Sequence, residues 1–276
     1  MGIGKASAPE TGLRRVTGNL ATWLALPLRA RRAPAARLLP PARRLAFGAL
    51  AGAVLVAAVM LLLDRRGVAF AQSLPLWVVD TFNELTDFGR SNWFLIPIGV
   101  LVLLAAFTAG PAAGRFGNSV ILSLVVRLEF LFLAIGLPGL FVTIVKRLIG
   151  RVRPSELGPY AYMPWSWRPE FASMPSGHAT TSVAAAIAIG AVWPAARVPM
   201  WIFAGIIALS RVVITAHYVS DVIAAGFVGA FGAILVRNWF AARRLGFVAA
   251  ADGTVRALPG PSWQRLKAVA RRLLGQ

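Results

Sequence analysis

Residues able to bind and transfer a phosphoryl group are concentrated in three short segments of this chain. In chain order they are Lys146, Arg153 and Pro154; then Pro175, Ser176, Gly177 and His178; then Ser210, Arg211, His217 and Asp221. Fixed cations neutralise phosphate oxygens, and a histidine aimed by a carboxylate acts as a nucleophile or as a general acid and base. These residue types predict a phosphate site at which histidine carries out the chemistry.

The Ser176-Gly177-His178 segment precedes an apolar run, so a helix is predicted to begin there. The first N–H groups of a helix attract anions, and glycine lets a phosphate approach the main chain closely. An ordinary helix cap, with His178 at the membrane interface, is the alternative interpretation.

Arg211 follows an almost wholly apolar run, at a depth where an arginine costs about 2.5 to 3.5 kcal/mol. It therefore needs a partner. That partner is either a bound phosphate or Asp221 in a structural ion pair.

Lys146 and Arg153 are predicted to bind the same phosphate. Alternatively, they belong to a basic loop beside the membrane, because Arg147 and Arg151 lie in the same stretch. With two histidines, no cysteine and no close group of carboxylates in the outer loops, the sequence offers no set of metal ligands. We therefore expect chemistry without a metal or other cofactor.

His217 and Asp221 are four residues apart, about 40° around a helix, so the carboxylate can orient the imidazole ring. Arg211 and His217 would lie about 120° apart on a continuous helix. For both side chains to reach one pocket, the helix must break between them.

Composition places the chain in a membrane: 58% of its residues are hydrophobic and 14% are charged, and the mean hydropathy is +0.69. The formal charge of +19 is concentrated at the ends, with 9 basic residues before residue 45 and 8 after residue 236. Basic ends of this kind bind an anionic lipid leaflet. Because no nucleic-acid-binding module accompanies them, the predicted partner is the bilayer and not nucleic acid.

Six apolar segments predict an all-α, polytopic six-helix bundle. They are Leu45–Leu63, Trp93–Ala109, 119–145, His178–Trp193, Met200–Thr215 and Ser220–Trp239, with the Ser220 hydroxyl as N-cap of the last. The domain predicted over residues 45–239 is flanked by basic tails at 1–44 and 240–276. An amphipathic helix on the membrane is expected over Leu74–Phe88.

Charge bias predicts the orientation. With both termini cytoplasmic, the inner loops and tails carry 19 basic residues and the outer loops carry 8. The prediction is an inner-membrane protein with cytoplasmic termini and a phosphatase site facing the periplasm.

Two features have open interpretations. The N-terminal tail is either solvated and disordered, setting only the orientation, or binds anionic lipid. Arg127 and Glu129, inside the third segment, are expected to have structural roles, with a place in the lipid path as the alternative.

The three segments resemble the signature of the type 2 phosphatidic acid phosphatase superfamily, integral-membrane lipid phosphatases that share a helical core with vanadium haloperoxidases. The resemblance covers residues 146–221, and the six-helix layout agrees over residues 45–239. It implies that His217 is the nucleophile, forming a phosphohistidine, that Asp221 orients it, and that His178 is the general acid. It also implies that the phosphate oxygens are bound by Lys146, Arg153, Ser176, Gly177 and Arg211.

The leading hypothesis is hydrolysis of a lipid phosphomonoester or diphosphate. Substrates in view are undecaprenyl diphosphate, phosphatidate, phosphatidylglycerol phosphate and a lipid A phosphate. The alternatives are phosphoryl transfer to another lipid by the same histidines, and a non-catalytic phospholipid-binding protein. The sequence leaves the oligomeric state open.

Overall fold

The computed structural model describes residues 12–30, 40–155, 158, 160–250 and 252–275. These residues form ten helices and one small hairpin. The helices are α1 (Gly12–Leu24), α2 (Ala42–Leu62), α3 (Asp64–Gln72), α4 (Leu76–Thr86), α5 (Asn92–Thr108), α6 (Gly114–Ile149), α7 (Gly177–Val192), α8 (Arg197–Val213), α9 (Val219–Ala242) and α10 (Trp263–Leu273). Strands β1 (Phe247–Ala249) and β2 (Val255–Ala257) pair antiparallel.

The predicted six-helix membrane bundle is confirmed. In the described part of the chain, five helical stretches are long and apolar enough to cross a membrane, and they contain α2, α5, α6, α8 and α9. The shorter apolar helix α7 is the sixth. Because α6 spans 36 residues, it extends beyond the predicted 119–145 segment at both ends.

Helix α7 lies at the centre of the bundle and packs on α6, α8 and α9. It can do so because much of it is alanine; Ala184, Ala185 and Ala188 are fully buried. On α9, a Cβ added to Gly229 would lie 2.6 Å from the Thr180 carbonyl oxygen. Small residues thus bring the two helices into close contact.

The predicted break between Arg211 and His217 is present. Helix α8 ends at Val213, Thr215 has a left-handed φ of 52°, and α9 begins at Val219. The backbone N–H groups of Ala216 and His217 both donate to the Arg211 carbonyl at 3.1 Å. This turn replaces the next helical turn and redirects His217 relative to Arg211.

Both basic tails contain folded structure, which the sequence did not predict. In α1, Val16 and Trp23 are buried, and Asn19 Nδ2 donates to the carbonyls of Ala106 in α5 and of Ala109, which caps that helix, at 3.0 and 3.1 Å. A wholly disordered N-terminal tail is therefore wrong over residues 12–24. Residues 1–11 and 31–39 of that tail lie outside the described residues.

The C-terminal segment packs on α6. The Phe247 ring lies 4.6 Å from the Phe130 ring, and Arg127 Nη2 donates to the carbonyls of Leu258 and Pro259 at 2.8 and 2.9 Å. These contacts give Arg127 the structural role predicted for it. Glu129 is buried on the same helix and makes no side-chain hydrogen bond within the described residues.

Candidate active site

The three motif segments meet at one end of the bundle. Gly150, with φ of 64°, ends α6 and turns the chain into the 151–176 loop. At the start of α7, the Ser176 N–H donates to the Asp221 carbonyl at 3.2 Å, and the Ser173 hydroxyl donates to the Asp221 carboxylate. The loop, α7 and α9 are thereby joined at Asp221.

Asp221 is fully buried, and its carboxylate accepts several hydrogen bonds. It accepts from Arg151 Nη1 at 2.6 Å, from the Tyr218 N–H at 3.0 Å and from Ser173 Oγ. The bond from Tyr218 caps α9. The prediction that Ser220 is the N-cap is therefore wrong, because Tyr218 holds that position.

His217 lies in the turn before α9 and is 4% exposed. Its Nδ1 is 3.8 Å from Asp221 Oδ2, which is longer than a hydrogen bond. Burial lowers the pKa of the imidazole, although Asp221 acts in the opposite direction. A neutral ring whose Nδ1 faces the carboxylate leaves Nε2 as the nitrogen with nucleophilic capacity.

His178 is the second residue of α7 and is packed against Gly89 in the turn before α5. A Cβ added at Gly89 would lie 3.2 Å from His178 Cδ2 and 2.5 Å from Ile207 Cγ2. Glycine is required there by this close approach. His178 and Gly89 both line a cavity of about 440 Å³.

Arg211 does not pair with Asp221, so that alternative is wrong. Its Nη1 donates to Thr86 Oγ1 at 2.7 Å. Its Nε is buried and makes no hydrogen bond within the described residues. A buried guanidinium whose N–H donors are not all used by described residues is suited to bind an anionic ligand.

Two further cations lie near Arg211. Arg153 Nε donates to the Pro169 carbonyl at 3.0 Å, and burial together with Arg147 lowers the pKa of its guanidinium. The Lys146 ammonium has no hydrogen bond to other described residues, and its charge interacts with those of Arg153 and Arg211. This concentration of positive charge favours the binding of a phosphate.

Ser176 and Gly177 complete the cluster at the N-terminus of α7. The Ser176 hydroxyl is fully buried and has no hydrogen-bond partner within the described residues. A Cβ added at Gly177 would meet nothing within 4 Å. A helix N-terminus with an unpaired hydroxyl and open space before it can receive phosphate oxygens.

Arg151, attributed from the sequence to the basic loop, is a buried partner of Asp221. Its guanidinium is fully buried, donates to Asp221 at 2.6 Å and to Asp64 at 2.7 Å, and stacks on the Tyr218 ring at 4.1 Å. Burial acts to lower the pKa of Arg151, but the two carboxylates outweigh it and raise that pKa. Arg151 is therefore positively charged in the folded protein.

Asp64 was the second residue missed. It begins α3, is fully buried, and accepts from the Ser220 N–H at 2.9 Å and from the Ser220 hydroxyl at 2.6 Å. Asp64, Arg151 and Asp221 thus form a chain of buried charges behind His217. The only sequence signal for Asp64 was an acidic residue at the end of an apolar segment. An acid at the membrane interface would give the same signal.

Comparisons with known proteins identify the family of this chain. A family model described as the PAP2 superfamily matches residues 128–245, which contain all three motif segments. A lipid A 1-phosphatase of Rhizobium etli is 34% identical over 203 residues, or 72% of this chain and 86% of that protein. The chain belongs to the PAP2 superfamily. A lipid A 1-phosphatase of Rhizobium johnstonii is 35% identical over 188 residues, or 66% of this chain and 76% of that protein.

Membership in the PAP2 superfamily confirms the expected class of enzyme, a membrane lipid phosphatase that hydrolyses phosphoric esters. Among solved structures, the chain is similar to the first transmembrane PAP2 type phosphatidylglycerolphosphate phosphatase, from Bacillus subtilis. The TM-score is 0.42 at 18% identity, with 80% of this chain and 94% of that chain covered.

Proposed function

We propose that this PAP2 enzyme removes phosphate from a glycolipid through a phosphohistidine formed on His217. The observation that carries the proposal is that Ser176 Oγ and Arg211 Nε are buried and unpaired within the described residues, while Arg211 lies close enough to His217 for their charges to interact. A phosphate bound among them would supply acceptors for the hydroxyl and the guanidinium. The carboxylate of Asp221 lies behind His217.

In the first step, His217 Nε2 attacks phosphorus and the bond from phosphorus to the lipid oxygen breaks. His178 gives a proton to that oxygen, so the lipid leaves as an alcohol. Lys146, Arg153 and Arg211 stabilise the charge on the three peripheral phosphoryl oxygens. Asp221 stabilises the positive imidazole ring while it carries the phosphoryl group.

In the second step, water attacks the phosphohistidine. His178, now neutral, accepts a proton from the water, the bond from phosphorus to nitrogen breaks, and inorganic phosphate leaves. His217 returns to its neutral state and His178 regains its proton. Both halves of the reaction use the same phosphate pocket.

The lipid is proposed to be a glycosyl 1-phosphate of the lipid A type. Support comes from the two relatives at 34% and 35% identity, each named lipid A 1-phosphatase. The charge bias of the loops supports an inner-membrane location with cytoplasmic termini. The site then faces the periplasm and takes lipid from the outer leaflet.

Phosphate release by detergent-purified full-length protein tests the function. Lipid A, phosphatidate, phosphatidylglycerol phosphate and undecaprenyl diphosphate are compared in the presence of EDTA. We expect the highest kcat/KM on lipid A, release of the 1-phosphate, and loss of several orders of magnitude in His217→Ala and His178→Ala. Wild type that releases phosphate from none of the four, or variants as active as wild type, would overturn the proposal.

A further inference from the structure

The cavity beside His178 adjoins the phosphate-binding cluster, because Gly177 belongs to both. It lies between the start of α5, the outer half of α6 and the first turns of α7, with a volume of about 440 Å³. Sites for ligands of moderate size have volumes of about 300 to 1,000 Å³. None of the cations assigned to phosphate lines it, so it is suited to a part of the substrate other than the phosphate.

Glycines create this space. Gly136 and Gly139 on α6 line the cavity, and a Cβ at Gly139 would have Thr181 Oγ1, at 4.0 Å, as its nearest neighbour. Side chains of ordinary size at these two positions would project into the space that His178 borders. The cavity is therefore set by the residue types of α6.

The lining is polar at one end and apolar at the other. Arg90, Ser91 and Asn92 lie at or just before the beginning of α5, whereas Leu95 lies one turn further along α5 and Leu140 lies on α6, where it is exposed. Arg90 pairs with exposed Asp87 at 2.9 Å. The Asn92 amide has no hydrogen bond to another described residue. Donors are thus available where the cavity meets the outer surface.

The chemistry of His178 identifies what must lie in this cavity. A general acid contacts the oxygen that leaves, so the remainder of the substrate extends from that oxygen on the side away from the phosphate. This cavity borders His178 and lacks the phosphate-binding cations. It is therefore suited to hold the leaving group.

We propose that the cavity is a leaving-group subsite that holds the sugar of a glycosyl phosphate lipid, with Asn92 and Arg90 donating hydrogen bonds to sugar or acyl oxygens. The apolar end at Leu95 and Leu140 contacts the first carbons of the attached acyl chain. A glycerol leaving group is smaller and offers fewer acceptors to these donors. The inference rests on the proposed phosphatase reaction and adds to it the basis of substrate choice.

The test measures kcat/KM for an acylated glucosamine 1-phosphate and for phosphatidate with the same acyl chains. Asn92→Leu removes the amide and keeps the number and branching of the side-chain heavy atoms. We expect about a tenfold loss on the glucosamine lipid, as for one lost hydrogen bond, and a change within about twofold on phosphatidate. Gly139→Leu fills the cavity and should lower the same ratio of kcat/KM values by at least about tenfold.

Gly99→Leu is the matched control, because Gly99 lies on α5 with nothing within 4 Å of an added Cβ. It should leave the ratio unchanged. The inhibition constant for inorganic phosphate should be the same in all variants, since the phosphate cluster is untouched.

The possible outcomes separate the two proposals. Wild type that releases phosphate from neither lipid overturns the phosphatase reaction itself. Wild type that acts on phosphatidate alone overturns the subsite. So does a ratio that stays at the wild-type value in both Asn92→Leu and Gly139→Leu.

Discussion

Arg151 Nη1 lies 2.6 Å from Asp221 Oδ1, and both side chains are fully buried. The other arm of the same guanidinium lies 2.7 Å from Asp64. One planar cation therefore joins α3 to the carboxylate behind His217. A bidentate guanidinium can bridge two carboxylates in this way, whereas an ammonium is a single point charge.

Arg151→Met should destabilise the protein by about 3 to 5 kcal/mol, because it leaves two buried carboxylates without their cation. The stability of Arg151→Lys should lie between the stabilities of Arg151→Met and wild type. Thermal unfolding in detergent measures both. Arg147→Met is the control, since Arg147 makes a single exposed bond to the Trp167 carbonyl. Equal midpoints for Arg151→Met and Arg147→Met would refute the structural importance of the buried pair.

Thr86 positions Arg211, so Thr86→Val should lower kcat/KM by about five- to thirtyfold. The substitution removes the oxygen that accepts from Arg211 Nη1 at 2.7 Å and from Ser210 Oγ at 2.9 Å. The range corresponds to about 1 to 2 kcal/mol for an unsatisfied buried donor. Steady-state phosphate release measures it.

Thr81→Val tests whether that loss is specific. Thr81 lies on the same helix, is exposed, and bonds only to the Trp77 carbonyl within the helix. Its kcat/KM should remain at the wild-type value. A similar loss in both variants would assign the effect to α4 as a whole and not to the contact with Arg211.

His217 is expected to be neutral at pH 6.5. Burial lowers its pKa below the ordinary value of 6.5. Because the pKa of His217 in the folded state is lowered, the ring stays neutral as the pH falls to 6.5. Protonation at pH values below 6.5 then weakens the folded state. With two histidines in the chain, ¹⁵N-histidine NMR of His178→Asn reports on His217 alone. Half-protonation at or above pH 6.5 would contradict this prediction.

Much of the bundle could be predicted from sequence because its signals are local. The charge-free run in α2 matches the thickness of a bilayer, and the angle between Arg211 and His217 requires the break that the structure contains. Three motif segments with unusual residue types likewise indicated the phosphate site. Within each of these features the residues are close in the sequence.

Long-range pairing could not be predicted in this way. Arg151 and Asp64 are 87 residues apart, and nothing local distinguishes Arg151 from Arg147. Asp64 resembled an interfacial acid because Arg65 and Arg66 follow it. The packing of α1 on α5 includes hydrogen bonds from Asn19 to Ala106 and Ala109, whereas the composition left this tail as either solvated or lipid-binding. In each case a distant partner decides the role of the residue.

The most direct test of the proposed phosphohistidine is to trap the phosphoryl group on the enzyme. Wild type is mixed with lipid carrying a labelled phosphate and quenched in alkali within one turnover, because phosphohistidine is labile in acid. The labelled peptide is then identified by mass spectrometry. We predict label on His217, none in His217→Ala, and decay of the label to inorganic phosphate at a rate at least equal to turnover. Two results would contradict this prediction. One is a burst of inorganic phosphate while no residue of the protein carries label, and the other is label on a residue other than His217.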